Sequence, residues 1–139
     1  MKKAPDLLKL VKCIKENETA QVEIYYANVN GNYVVEDFIE SLEENQITKI
    51  LHLFRMMVLH GKITNQEKFK KLRSGSHGPE FEFKSHQVRL GCIFEESKYI
   101  LLHGFIKKKD VWPPGELTQF ANNVHYYKSQ SAPRVKGRK

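Results

Sequence analysis

The sequence predicts an α+β fold: a small, mostly antiparallel sheet of about four strands with helices packed on one face, in the order α-β-α-α-β-β-β-α. Three observations carry this. Residues 79–84, 86–96 and 98–109 are strand-like segments in close succession, joined by short polar turns. Before them, 32–44 and 46–61 repeat apolar residues at the spacing of a helix facing a core. A further alternating stretch, 21–27, precedes both helices and supplies another strand.

Along the chain, PDLLKLVKCIKE (5–16) places Leu7, Leu10, Val11 and Ile14 at helical spacing, with Pro5 and Asp6 suited to a first turn. A helical extension is therefore expected over residues 1–20, ahead of a main domain at 21–128. QVEIYYA (21–27) alternates Val22, Ile24 and Tyr26 with Glu23 and Tyr25, and Asn30-Gly31 breaks the chain. Val35, Phe38, Ile39 and Leu42 share a helix face, with Glu36 and Asp37 early, where the helix dipole favours acids. Ile47, Ile50, Leu51, Phe54 and Val58 form the next stripe, with Gly61 as its stop. From Gly61 to Gly78 the chain reads as a loop holding a basic knot, KFKKLRSGSHG. PEFEFK then sets Phe81 and Phe83 against Glu80, Glu82 and Lys84. HQVRLGCIFEE sets Val88, Leu90, Cys92 and Phe94 on one face, so Arg89 points to the other; Ser85-His86 makes the two segments a hairpin. KYILLHGFIKKK is apolar on both sides, as a central strand is. Pro113-Pro114 opens a last helix with Leu117, Phe120, Ala121 and Val124 inside. The tail, 129–139, has Val135 as its one large apolar residue and reads as basic and disordered.

The charge is unevenly spread. Residues 1–66 hold 8 Lys/Arg against 9 Asp/Glu, whereas 67–139 hold 15 against 7, so the whole excess of +7 sits in the second half. Such asymmetry is the electrostatic footprint of a polyanion binder, although a basic half also suits an acidic protein partner. No apolar run reaches the roughly 20 residues a membrane helix needs, and the first ten residues lack a signal-peptide core, so a cytoplasmic location without membrane association is expected. Cys13 and Cys92 are too few for a disulfide scaffold or zinc site and read as small core residues. Neither metal-ligand spacing nor a phosphate loop is visible, so no cofactor is expected.

Two runs, VVEDFIESLEENQITKILHLFRMMVLHGK and KKLRSGSHGPEFEFKSHQVRLGCIFEESKYILLHGFIKKKDVWPP, followed by ELTQFANNVHYY, resemble the HigB/RelE superfamily of bacterial toxins, closest to its phage-derived HigB-like branch. The matching pattern is Glu82-Phe83-Lys84, Arg89 near the start of the next strand, the strand from Leu101 to Lys108, the proline-opened helix at Pro114, Ala121, and Tyr126 or Tyr127. The resemblance covers residues 21–128. It implies a RelE-like fold and a ribosome-dependent mRNA interferase, the toxin of a type II toxin–antitoxin pair. It further implies contact with mRNA and ribosomal RNA at the A site, and silencing by a cognate antitoxin, often a helix-turn-helix protein.

Metal-independent RNA cleavage needs a base for the 2′-OH, charge stabilisation at the phosphorane and a proton for the leaving 5′-oxygen. Arg89 is the leading candidate for the phosphate, being permanently charged and bidentate. Lys84, Lys107 and Lys108 are candidates for further phosphate contacts or, in a crowd of positive charge, for the base; the residues do not choose among them. Among the histidines, His86 ranks ahead of His77 and His103 as acid or base because it is close in sequence to Lys84 and Arg89. Lys70, Lys71, Arg73, His77 and Lys109 are candidate RNA-backbone contacts. Trp112 suits base stacking or, more simply, core packing. The alternatives are a non-catalytic RNA- or ribosome-binding module of the same fold, and a basic interaction partner of an antitoxin-like protein.

Overall fold

The computed structural model describes residues 6–109 and 111–132. In chain order these form β1 (Leu8–Leu10), β2 (Glu23–Val29), β3 (Asn32–Tyr33), α1 (Val34–Glu40), α2 (Glu44–His60), β4 (Phe69–Gly75), β5 (Gly78–Ser85), β6 (Val88–Glu95), β7 (Lys98–Ile106) and α3 (Pro114–Ser131). The strands make one open sheet in the order β1-β2-β7-β6-β5-β4, with β3 paired to β2 off this path. All pairings are antiparallel except β2 with β7, whose connection carries α1 and α2. The protein is thus α+β, with three helices and a seven-stranded, mostly antiparallel sheet among the described residues.

Local chemistry explains most of the boundaries. Asn30 and Gly31 both have positive φ, 53° and 96°, the backbone of a two-residue hairpin turn, here joining β2 to β3. At the start of α2, Glu43 and Gln46 close a reciprocal capping box, and Gly61 ends the helix in the left-handed conformation at φ 77°. Pro114 occupies the first turn of α3, where a missing N–H costs nothing.

The sheet is buried on both sides. Ile24, Tyr26, Phe83, Leu90, Cys92 and Leu101 face α1 and α2, meeting Val35, Ile39, Phe54 and Met57. Alternate residues of the same strands, Ala27, Val29, Ile100 and Leu102, face α3 and meet Phe120, Val124 and Tyr127. Helices therefore cover both faces, not one as the sequence led us to expect. The apolar run Ile100-Leu101-Leu102 held that information, because a strand apolar on both sides needs a layer on each.

Three segments differ in type from the sequence reading, the smallest being Asn32–Tyr33, which was expected to begin a helix and instead pairs with β2 as β3. Residues 6–16 contain no helix: Leu8–Leu10 instead pairs antiparallel with β2, so this part of the expected extension is an edge strand of the sheet. Three residues are too few for alternation to show, and β2 offered an open edge. The basic knot is likewise not a loop, since Phe69–Gly75 pairs along β5. A bulge between Lys71 and Arg73 interrupts its two-residue period, which is what hid the strand. The sheet consequently has seven strands in place of about four, and the order runs β-β-β-α-α-β-β-β-β-α. At the other end, α3 continues through Ser131, and residues 133–139 of the expected tail lie outside the described residues. None of the described helices is long and apolar enough to cross a membrane.

Candidate nucleic-acid interface

A second bulge decides which side chains meet. Between Gly91 and Cys92 the register of β6 against β7 shifts, leaving Leu102 as the extra residue: Cys92 pairs with Leu101, but Gly91 pairs with His103. Asn123 Nδ2 donates to the Leu102 carbonyl at 2.7 Å, satisfying an acceptor that the bulge takes out of the ladder. Beyond the bulge the side-chain alternation of β7 is reversed. His103 and Phe105 turn to the α3 side, and Lys107, whose N–H still donates to the Gln87 carbonyl at 2.6 Å, follows the same alternation.

Cross-strand partners share a face, so the register gathers charge across the sheet. Lys70 lies opposite Glu82, Lys84 opposite Arg89, and Arg89 opposite Phe105. Lys70, Lys84, Arg89 and Lys107, from β4, β5, β6 and the end of β7, thus occupy one stretch of the α3-side face. Lys84 Nζ donates to the Gln66 carbonyl at 3.2 Å. Its pKa is lowered from the ordinary 10.5, first by burial, then by the charge of Lys70, with Arg89 and Lys107 adding to this and Glu82 opposing it.

Arg89 is less free than its neighbours. Its side chain is only 12% exposed, and Nε lies 3.6 Å from Glu82 Oε1, an ion pair without a hydrogen bond. Nη1 donates to the carbonyls of His86 and Val88 at 2.6 and 3.0 Å. Burial lowers the Arg89 pKa, and Glu82 works against that shift. The buried Glu82 carboxylate also accepts from Trp112 Nε1 at 2.9 Å. That indole packs against Phe105 and Phe120 and is 6% exposed, so it forms a core wall beside the cations and offers no stacking platform.

The remaining candidates lie elsewhere. Lys71 faces the α2 side, opposite Phe81. Arg73 is held by the buried Glu80, Nε to Oε1 at 2.7 Å. His77 stands beside His125, Nε2 to Nδ1 at 3.4 Å. Lys108 and Lys109 are exposed past the end of β7. His103 donates from Nε2 to Glu116 Oε1 at 2.7 Å and is a satisfied, half-buried side chain. His86, near Arg89 in sequence, points away from it: its backbone is left-handed at φ 53°, and its Nε2 accepts from Lys49 Nζ, 3.1 Å away on α2.

Sequence reasoning missed Lys49, and named Glu82 without placing it among the site residues. Glu82 carried a usable signal, since its parity put it beside Lys84. Lys49 carried none, being 37 residues from His86. What results is an α+β protein with a cationic sheet face whose inner carboxylate, Glu82, is buried, with Lys70 exposed and Lys84 and Lys107 half-buried. No protein-family model matches the chain, and no curated protein matches it significantly.

Proposed function

We propose that the protein binds single-stranded RNA on the Lys70–Lys84–Arg89–Lys107 face and cleaves it without a metal, as the toxin of a type II pair of the HigB/RelE kind. In this reading β2, α1, α2, the antiparallel run β5 to β7 and α3 form the RelE-like layout, with β4 added at the sheet edge. The observation that carries the proposal is the gathering of cations from adjacent strands around one amine, Lys84, whose pKa is depressed. A lysine with a lowered pKa is unprotonated in a larger fraction of molecules, and only the unprotonated amine takes up a proton. Lys84 takes the proton of the ribose 2′-OH, and the 2′-oxygen attacks the adjacent phosphorus. The bond to the 5′-oxygen breaks, giving a 2′,3′-cyclic phosphate, and Lys107 protonates the departing 5′-oxygen. Lys70 and Arg89 hold the negative charge that builds up on the phosphorane. Ribosome dependence, the A-site location and a helix-turn-helix antitoxin belong to this proposal through the resemblance.

One observation favours a second, non-catalytic reading in which the same face only grips RNA: Arg89 spends Nη1 on two backbone carbonyls and sits against Glu82. Inducible expression separates the two. Growth arrest with cut transcripts, abolished by Lys84→Ala at unchanged thermal stability, supports cleavage. Arrest with intact transcripts supports gripping alone. Absence of both arrest and low-salt RNA binding overturns the RNA reading altogether.

A further inference from the structure

Along the opposite side of the molecule, α2 leaves a groove of about 900 Å³ that the RNA reading does not use. It lies between α2, 17 residues and about 25 Å long, and the returning connection 61–68, of which Ile63 packs against the core. The floor is apolar, made by Leu53, Met56 and Ile63, and Met56 leaves 37% of its surface to water. The rim is cationic: Lys49 from the helix, and Lys62 and Lys68 from the connection.

Among the described residues no Asp or Glu lines this groove, and none of these lysines is ion-paired. Some cations elsewhere are neutralised, Arg55 on the same helix by Glu18, Lys9 by Glu36 and Lys128 by Glu95, but what sets the groove lysines apart is that they converge over an apolar floor. Lys49 has only an imidazole, His86, as its partner, and His52 and His60 add two more imidazoles along the wall. Unneutralised like charges gathered over an apolar floor raise the local potential, which an entering anion relieves. The volume lies within the range of small-molecule pockets, and lysine stems extend the apolar lining beneath their ammonium heads.

We propose that the α2 groove is a binding site for a small organic anion, with a carboxylate, phosphate or sulfonate head held by Lys49, Lys62 and Lys68 and an apolar body laid on Leu53, Met56 and Ile63. A bare inorganic ion leaves the floor uncovered, and a neutral apolar molecule leaves the lysines unanswered. The site stands apart from the RNA face: the Gln66 to Lys68 backbone, bonded to Lys84, lies between them.

The full chain titrated with 8-anilinonaphthalene-1-sulfonate tests this. We expect saturable binding of one probe per chain, displaced by sodium decanoate, with methyl NMR shifts at Met56 and Ile63. Lys49→Glu combined with Lys62→Glu weakens binding about tenfold or more, because charge-assisted contacts are lost, whereas Lys12→Glu does not. N-phenyl-1-naphthylamine, the same apolar body without the sulfonate, binds far more weakly. Equal binding of that neutral probe, or an unchanged Kd in the folded double variant, overturns the proposal. So does displacement by oligouridylate but not by decanoate, which assigns the groove to RNA.

Discussion

Glu82 sits against an indole and an arginine, one strand from Lys70 and two residues from Lys84. Its charge raises the Lys84 pKa against the lowering by burial and by the other cations. Glu82→Gln keeps the shape but removes that charge, so the Lys84 pKa falls further. In a pH–cleavage profile the midpoint of the acidic limb, already below 10.5 in the wild type, moves to lower pH; an unmoved limb excludes Lys84 as the base. The same substitution leaves Arg89 without its counter-charge, and chemical denaturation is expected to register a loss of about 2–3 kcal/mol. This lies below the usual cost of breaking a buried pair, because Arg89 keeps two carbonyl acceptors. Residue by residue, Lys84 and Arg89 were legible because strand parity alone puts them on a common face. His86 was not, because its ranking rested on closeness in sequence, and a left-handed turn residue does not share the direction of the strand residues beside it.

Two contacts between elements invite direct tests. Glu18, in the connection between β1 and β2, pairs with Arg55 on α2; this hydrogen bond, and that from the Lys15 N–H, hold its carboxyl at about 2 in place of 4.5. A depressed carboxylate contributes stability that is fully present above pH 4.5 and lost as pH falls through about 2. Thermal melts of Arg55→Met are therefore expected to lie below the wild type at pH 7 and to converge with it towards pH 2. A constant gap down to that pH refutes the ion pair as the cause. Asn123 is the second contact. Replacing it with alanine leaves the Leu102 carbonyl without its donor, at an expected cost of about 1–3 kcal/mol by denaturant titration. If the bulge relaxes as a result, Lys107 loses its place beside Lys84, and RNA affinity falls with stability. Elements as such were largely readable: α1, α2, α3 and the hairpins of β5, β6 and β7 follow from periodicity, Gly61, Pro114 and Asn30-Gly31. The bulged β4 and the short β1 were not, since each lacks an uninterrupted alternating pattern.

Over the whole molecule, β1 closes one edge of the sheet and β4 the other. Lys70 and Lys71 blunt the β4 edge with charge, whereas β2 depends on β1 for cover. Removing residues 1–10 therefore exposes the N–H and C=O groups of β2. The expected result is a lower melting temperature and self-association in size-exclusion chromatography; a truncated chain as stable and monodisperse as the parent shows that β1 is dispensable. The excess positive charge also acts at this scale. RNA binding to the β4–β7 face is expected to weaken steeply with salt, as counterion release requires.

The sequence by itself determined the class of fold, most helix boundaries, the three-strand run from residue 79 to 106 and the concentration of positive charge in the second half. Each of these depends on neighbours within a few positions, where period, caps and turn residues act directly. Tertiary structure alone decided that β1 joins the sheet, that α3 covers the face opposite α1 and α2, that Lys107 meets Lys84, and that His86 belongs to the α2 groove. Those outcomes turn on a one-residue bulge and on which open edge or bare face a segment finds. Such choices are settled by packing between residues far apart in the chain, and local pattern does not encode them.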